Sequence, residues 1–257
     1  MILIGTAGYS YDDWVGPVYP AGTKKGEMLE YYAREFMFTE VNSSYYALPN
    51  KYMMWNLVKK TPEGFQFVVK THQSMTHRRD AGREVYAQFM EALQPLAEAG
   101  KMGGILAQFP FSFHCTKANA AYLKWMAGHF EGIPLAVEFR NQNWLREETF
   151  TLLRRLGLAY VSVDEPDVKG LVSPAAVFTA GMGYVRFHGR NAAQWYDHKE
   201  SYERYNYLYA EEELAEWTPR IRELEAKARK VFVSLNNHYQ GQAVRNARMI
   251  REMLTSG

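Results

Sequence analysis

The feature that most constrains this chain is an alternation of two hydrophobic patterns along its whole length. Short β-branched or apolar runs trade places with longer stretches whose apolar residues recur at helical spacing. The runs at 2–6, 37–42, 65–71, 103–109, 134–140, 158–164, 183–189 and 230–236 predict strands. The stretches at 25–36, 51–60, 83–99, 117–129, 144–156, 208–229 and 238–254 predict helices. Residues 165–182 break the rhythm and predict a short helix at most. Strands separated by helices pair in parallel, because a parallel neighbour needs a crossover long enough to hold a helix. Eight strands at roughly 32-residue intervals predict an α/β fold closed into a (β/α)8 barrel rather than an open doubly wound sheet. The 257 residues suit one such domain, 1–257, and no linker or low-complexity tract divides them.

Several boundaries carry their own chemistry. Pro62 and Gly64 break the chain before the third strand, and Gly157 stands where a helix should end. Thr218-Pro219 predicts a cap followed by a first-turn proline, which would split 208–229 into two helices. Helix-to-strand connections are short, whereas the strand-to-helix connections at 7–24, 72–82, 165–182 and 190–207 are long. Long loops gathered on one face of a rigid scaffold are where function concentrates, and in this barrel that face lies at the C-terminal ends of the strands.

Bulk properties exclude several classes. A net charge of +2 gives no global field for nucleic acid, so any basic surface must be local. Cys115 is the only cysteine, so neither an internal disulfide nor a cysteine-based zinc framework is available. Met1 leads directly into the first strand pattern, and no apolar run of about 18 residues suggests a membrane span. The expected location is the cytoplasm.

Residues two apart share a face of a strand. Glu40 with Asn42, Glu138 with Arg140, and Arg186 with His188 are such pairs near strand ends. Lys70, Gln108, Asp164 and Asn236 close four further strands. Charge inside a barrel is costly unless paired or solvated, so these groups imply either an internal ion-pair network or a charged ligand. Glu138, Asp164 and His188 are the candidates for proton transfer. Lys70, Arg140, Arg186 and Arg190 are candidates to hold an anion, with Asn42, Gln108, Asn236 and Asn237 to orient it. On this view Glu138→Gln should alter binding or turnover with little loss of fold. No cofactor is expected. A divalent metal is the alternative, with Glu40, Glu138, Asp164 and His188 as its ligands, although no compact ligand motif supports it. His72 and His77 read as solvated loop residues, and His114, His129, His198 and His238 as loop or surface residues without a chemical role.

Two loops are rich in aromatics: Tyr9, Tyr11, Trp14 and Tyr19 in one, Trp195, Tyr196, Tyr202, Tyr205, Tyr207 and Tyr209 in the other. Such residues either stack on a sugar or base or pack as a lid over the barrel mouth. Tyr9 and Trp195 are the candidates for ligand contact. His77-Arg78-Arg79, with Arg83, adds positive charge on the same side and keeps nucleic acid open as a partner. Gly5-Thr6-Ala7-Gly8 is neither a dinucleotide fingerprint nor a P-loop, and Ser43-Ser44 lacks a nucleophile-elbow context.

The ordered motifs Gly8-Tyr9, Trp14, Tyr19-Pro20, Glu40-Val41-Asn42, Thr61-Pro62 and Phe65-Gln66-Phe67-Val68-Val69-Lys70 carry a resemblance. So do Thr76-His77, Gln108-Phe109-Pro110, Val137-Glu138-Phe139-Arg140 with Trp144, Asp164, Tyr184 through Arg190, Trp195 and Asn236-Asn237. Together they resemble the YecE-like family, domain of unknown function 72, from residue 5 to about 247. The resemblance implies a TIM barrel and supplies no activity. The residues themselves leave three readings: an enzyme acting by acid–base chemistry on an anionic, phosphorylated or sugar-like small molecule; a metal-assisted phosphodiesterase or nuclease; or a non-catalytic binding barrel. Oligomeric state is not readable from the sequence.

Overall fold

The structure is a computed structural model that describes residues 1–200 and 202–255. Eight parallel strands close into a barrel in sequence order. They are β1 (Ile2–Thr6), β2 (Phe38–Val41), β3 (Gln66–Lys70), β4 (Met102–Gln108), β5 (Leu135–Glu138), β6 (Ala159–Asp164), β7 (Gly183–Phe187) and β8 (Val231–Leu235). Closure is sealed by the β1–β8 ladder, which runs from Ile2 opposite Val231 to Thr6 opposite Leu235. The strands are apolar on both faces because one face fills the barrel and the other meets helices. At Gly5 a side chain would have no room: an added Cβ would lie 2.1 Å from the Phe38 carbonyl oxygen.

The helices are α1 (Met28–Tyr32), α2 (Lys51–Lys59), α3 (Gln73–Thr76), α4 (Arg83–Glu98), α5 (Lys117–Ala127), α6 (Glu147–Leu156), α7 (Glu211–Ala215), α8 (Thr218–Lys227) and α9 (Gln242–Thr255). Gly157 ends α6 in the left-handed region at φ 69°, as its position in the sequence predicts. The 208–229 pattern does divide into α7 and α8, and Pro219 lies in the first turn of α8. The cap itself is Trp217, one residue earlier than predicted, and the Thr218 hydroxyl bonds back to Ala215. The segment between β6 and β7 contains no helix; it turns at Lys169-Gly170 and otherwise runs without regular structure. Among the described residues, no helix is long and apolar enough to cross a membrane.

Inside the barrel the side chains change character with height. Phe38, Tyr184 and Phe232 meet as a lower aromatic layer, with ring centroids 4.8–6.4 Å apart. Above it the interior becomes ionic. That change marks the C-terminal mouth as the place where buried polarity requires an explanation.

Candidate functional site

Arg186 on β7 occupies the barrel axis. Its Nε and Nη2 donate to the two oxygens of Glu40 on β2, each at 2.7 Å, and its Nη1 donates to Glu138 on β5 at 2.6 Å. Tyr184 donates its hydroxyl to the same Glu40 oxygen at 2.6 Å. Three strands are thus bridged by one guanidinium whose planar fork suits two carboxylates. All four side chains are buried. The two arginines beside Glu138 hold its carboxyl well below the usual range, although burial opposes them.

A second tier rests on the first. Arg140 reaches Glu138 at 2.9 Å and pairs with Glu165. His188 lies 3.2 Å from Glu138, 3.0 Å from Arg140 and 3.1 Å from the Asn236 amide. Burial and the neighbouring guanidiniums depress the His188 imidazole far below its ordinary value, so it stays neutral. Burial also raises Glu165 to about 7, against the pull of Arg140.

Lys70 at the end of β3 stands apart from these pairs. Its Nζ donates to Gln108 Oε1 at 2.9 Å and lies 4.6 Å from the centre of the Tyr45 ring. Among the described residues no carboxylate comes within salt-bridge distance of it. Burial, reinforced by Arg186, lowers its amine to about 8. The Gln108 amide is fixed as an acceptor toward Lys70 because its own NH2 group donates to the Phe109 carbonyl at 2.8 Å.

These groups floor a cavity of about 840 Å3 at the barrel mouth, which falls within the size range of small-molecule sites. Its walls come from the long loops. Trp195 is wedged between two guanidiniums, 5.7 Å from Arg140 and 5.3 Å from Arg204. Its loop is pinned by Asn191, whose amide donates to Gln194, Glu203 and Asn206. On the other wall Tyr11 stacks flat on His238 with centroids 4.5 Å apart. Tyr46, Phe111 and Tyr196 form an exposed aromatic rim. Glu40 is the acid that lines the cavity, and both its oxygens are already bound. Lys70, Arg140, Arg186 and Arg204 also line it.

The candidate residues therefore fall into three groups. Lys70, Arg140, Arg186, Asn42, Gln108, Asn236, Tyr9 and Trp195 converge on the cavity. Glu138 and His188 lie beneath its floor, engaged with the arginines. Asp164, Arg190 and Asn237 face elsewhere. Asp164 points out of the barrel, accepting from Trp217 and Tyr209 at 2.7 Å and from Arg190 at 2.7 Å. Its ladder partner is Phe187, which packs on those same rings, whereas inward Arg186 stands opposite Val163. The inward acid is the next residue, Glu165. Asn237 is turned to the Tyr207 carbonyl and Asn246.

The metal set dissolves for the same reason. Arg186 bridges Glu40 and Glu138, and Asp164 is on the other side of the sheet. Among the described residues no group of three His, Cys, Asp or Glu side chains is arranged to hold a metal. His77, His198 and His238, which read as solvated loop or surface residues, line the cavity instead. Burial and nearby cations lower His77 to about 4. Tyr205 belongs to the aromatic loop that the sequence marks, and it lines the cavity, whereas Tyr45, Arg204 and Glu165 carry no motif that would have singled them out. For Glu165 the strand pattern was silent because every residue of β6 is buried.

Comparison with known proteins places this architecture. The profile described as "Protein of unknown function DUF72" matches residues 3–257. The chain belongs to the DUF72 family. It is 35% identical to the UPF0759 protein YunF of Bacillus subtilis, over 99% of this chain and 95% of that protein. It is 27% identical to the UPF0759 protein YecE of Escherichia coli O157:H7, over 74% of each. A crystal structure of a DUF72 family protein from Thermotoga maritima superposes with a TM-score of 0.92 at 39% identity, covering 99% of both chains. One from Enterococcus faecalis superposes with a TM-score of 0.89 at 29% identity, covering 99% of this chain and 96% of that one. The resemblance read from the motifs and the barrel fold are both shown by these matches.

Proposed function

We propose that the barrel mouth of this DUF72 protein binds an anionic, ring-bearing small molecule and acts on it by acid–base chemistry. The observation that carries this reading is the charge left over at the cavity wall. The carboxylate there is already spent on Arg186 and Tyr184, while Lys70 and Arg204 have no acid partner among the described residues. A cation-lined cavity favours phosphate or carboxylate, and the tyrosines and Trp195 offer flat surfaces for a ring.

The acid–base role moves from Glu138, Asp164 and His188 to Lys70. Glu138 is clamped, His188 is neutral under Arg140, and Asp164 is outside the barrel. Lys70 reaches the cavity, and burial lowers its amine to about 8, within the range in which a general acid–base group works. The metal-assisted phosphodiesterase reading draws no support from the placement of its four ligand candidates.

The test is thermal unfolding with inorganic phosphate and with phosphorylated sugars, on the native protein, Arg204→Gln and Lys70→Met. Saturable stabilisation of the native protein that weakens in both variants is expected. Phosphate also stabilises proteins by exclusion from their surface, so equal shifts in all three proteins would overturn the proposal.

A further inference from the structure

The lysine amines of the interior are not equivalent. Lys101 donates to the Val58 and Thr61 carbonyls and to the Thr61 hydroxyl, and so is fully occupied. Lys230 is committed to Gln66 near the opposite end of the barrel. Lys70 has one neutral amide acceptor, a tyrosine ring beside it, and open cavity on its remaining side. Even a half-buried amine is costly to keep charged, and the usual remedy is a carboxylate. This site withholds one, although Glu40 and Glu138 stand on nearby strands, because Arg186 and Arg140 consume both.

From this geometry we infer that Lys70 is a covalent nucleophile, forming an iminium with the carbonyl carbon of the anionic ligand. The inference rests on the proposed anion site and names the class of substrate it takes: an aldehyde or ketone that also carries a phosphate or carboxylate. Amines act this way when desolvated beside other cations, which favours the free base. Here burial and Arg186 supply that bias, and the amine titrates at about 8.

The step balances with cavity solvent as the proton carrier, which takes the proton Lys70 releases before attack and returns one to the departing hydroxyl. The free Nζ adds to the carbonyl carbon, forming the C–N bond as the C=O π pair moves to oxygen. Proton transfer gives a neutral carbinolamine. Its hydroxyl takes a proton and leaves as water, and the nitrogen lone pair forms the C=N bond. Overall, an ammonium and a carbonyl become an iminium and one water, with one positive charge throughout. The carboxylates and guanidiniums beneath remain paired. Gln108 holds the amine from one side, and the fixed orientation of its amide leaves the approach from the cavity open.

The experiment uses the full chain with two aldehyde probes, pyridoxal 5′-phosphate and phosphate-free pyridoxal. Each is added below one equivalent, reduced with borohydride, and mapped by peptide mass spectrometry. Exposed Lys24 and Lys169 are the internal references. The expected result is a reduced adduct on Lys70 at least tenfold ahead of either reference. Its pH dependence should level off above about 8, while the references continue to rise. Labelling of Lys70 no faster than Lys24 and Lys169 with both probes would overturn the inference, and this holds whether or not a Lys70→Met protein folds. The two readings separate cleanly. Equal labelling by both aldehydes without protection by phosphate keeps the nucleophile and sinks the anion site. Phosphate stabilisation that depends on Arg204, with no Lys70 adduct, does the reverse.

Discussion

Glu138 offers the sharpest test of how the ionic floor is built. Replacing it by glutamine changes the shape of the side chain little and removes one charge. Arg186 then loses an ionised acceptor at 2.6 Å, Arg140 one at 2.9 Å, and His188 its neighbour at 3.2 Å. Because Glu138, Arg186 and His188 are buried, water cannot take the place of the lost carboxylate beside Arg186 and His188, whereas Arg140 reaches the cavity. Removing one partner of a buried pair typically costs 3–5 kcal/mol, and the retained amide oxygen argues for the lower end, about 3 kcal/mol. At roughly 2–4 °C per kcal/mol for a domain of this size, that is a fall of roughly 6–12 °C in Tm. The sequence alone suggested little loss of fold at this position, and the structure predicts the opposite. The sign of the pH dependence follows from the lowered pKa of Glu138 in the folded protein. Its stabilisation is fully present above the unfolded carboxylate value of about 4.3 and fades as pH falls toward the folded one. Urea unfolding of both proteins at neutral and acid pH measures this directly. A neutral-pH difference below about 0.5 kcal/mol, the range of ordinary surface changes, would refute the argument that Glu138 anchors the two arginines.

Other consequences are checkable in the same way. Lys70 has a lowered pKa of about 8 in the fold, so the native protein should gain stability from about pH 8 up to the unfolded lysine value of about 10.4; Lys70→Met should lose that rise in urea titrations. Glu165 is raised to about 7, so it should withdraw stability as pH climbs from about 4.3 to 7; Glu165→Gln should flatten that slope. Asp164→Asn should destabilise by about 2 kcal/mol or more, since a buried acceptor of Trp217, Tyr209 and Arg190 loses its charge, yet leave phosphate-dependent stabilisation intact. Trp195→Ala should weaken binding of ring-bearing anions about 5–10-fold with little effect on inorganic phosphate, as a stacking contact of about 1–1.5 kcal/mol implies; calorimetric titration separates the two.

The fold was legible because strand–helix alternation is a periodicity, and periodicity survives in sequence. The eight strands fall where the apolar runs place them, with ends moved by a residue or two. The identity of the inward face was legible only where chemistry broke the apolar run. On β7 the spacing of Arg186 and His188 gave the inward pair directly, and both do face inward. On β6 the same reasoning chose Asp164 because it is the last polar residue of the run. There is no alternation to consult on that strand, since the barrel buries one face and the helices the other. A one-residue shift reverses the facing of a strand's side chains, and it exchanges Glu165 for Asp164. The wall residues His77, Arg204 and His238 were less accessible still. Their positions depend on how long loops fold back, which leaves no short-range trace in the sequence.

Strand register also decides which acid serves the site. Three inward carboxylates, Glu40, Glu138 and Glu165, meet two inward guanidiniums, Arg186 and Arg140, in contacts that leave no acid free. A one-residue slip that turned Asp164 inward would turn Glu165 outward, so register decides which acid meets Arg140 and leaves their number at three. Turning Asp164 outward to Arg190, Trp217 and Tyr209 spends that charge on holding α7 and α8 to the barrel. Within the barrel the three carboxylates balance Arg186, Arg140 and Lys70, so the surplus cation at the mouth is Arg204 of the loop between β7 and α7. Arg204→Gln should therefore weaken the preference for anions directly, and Lys70→Met should do the same by leaving one inward carboxylate unmatched, as phosphate-dependent thermal shifts of the two variants would show.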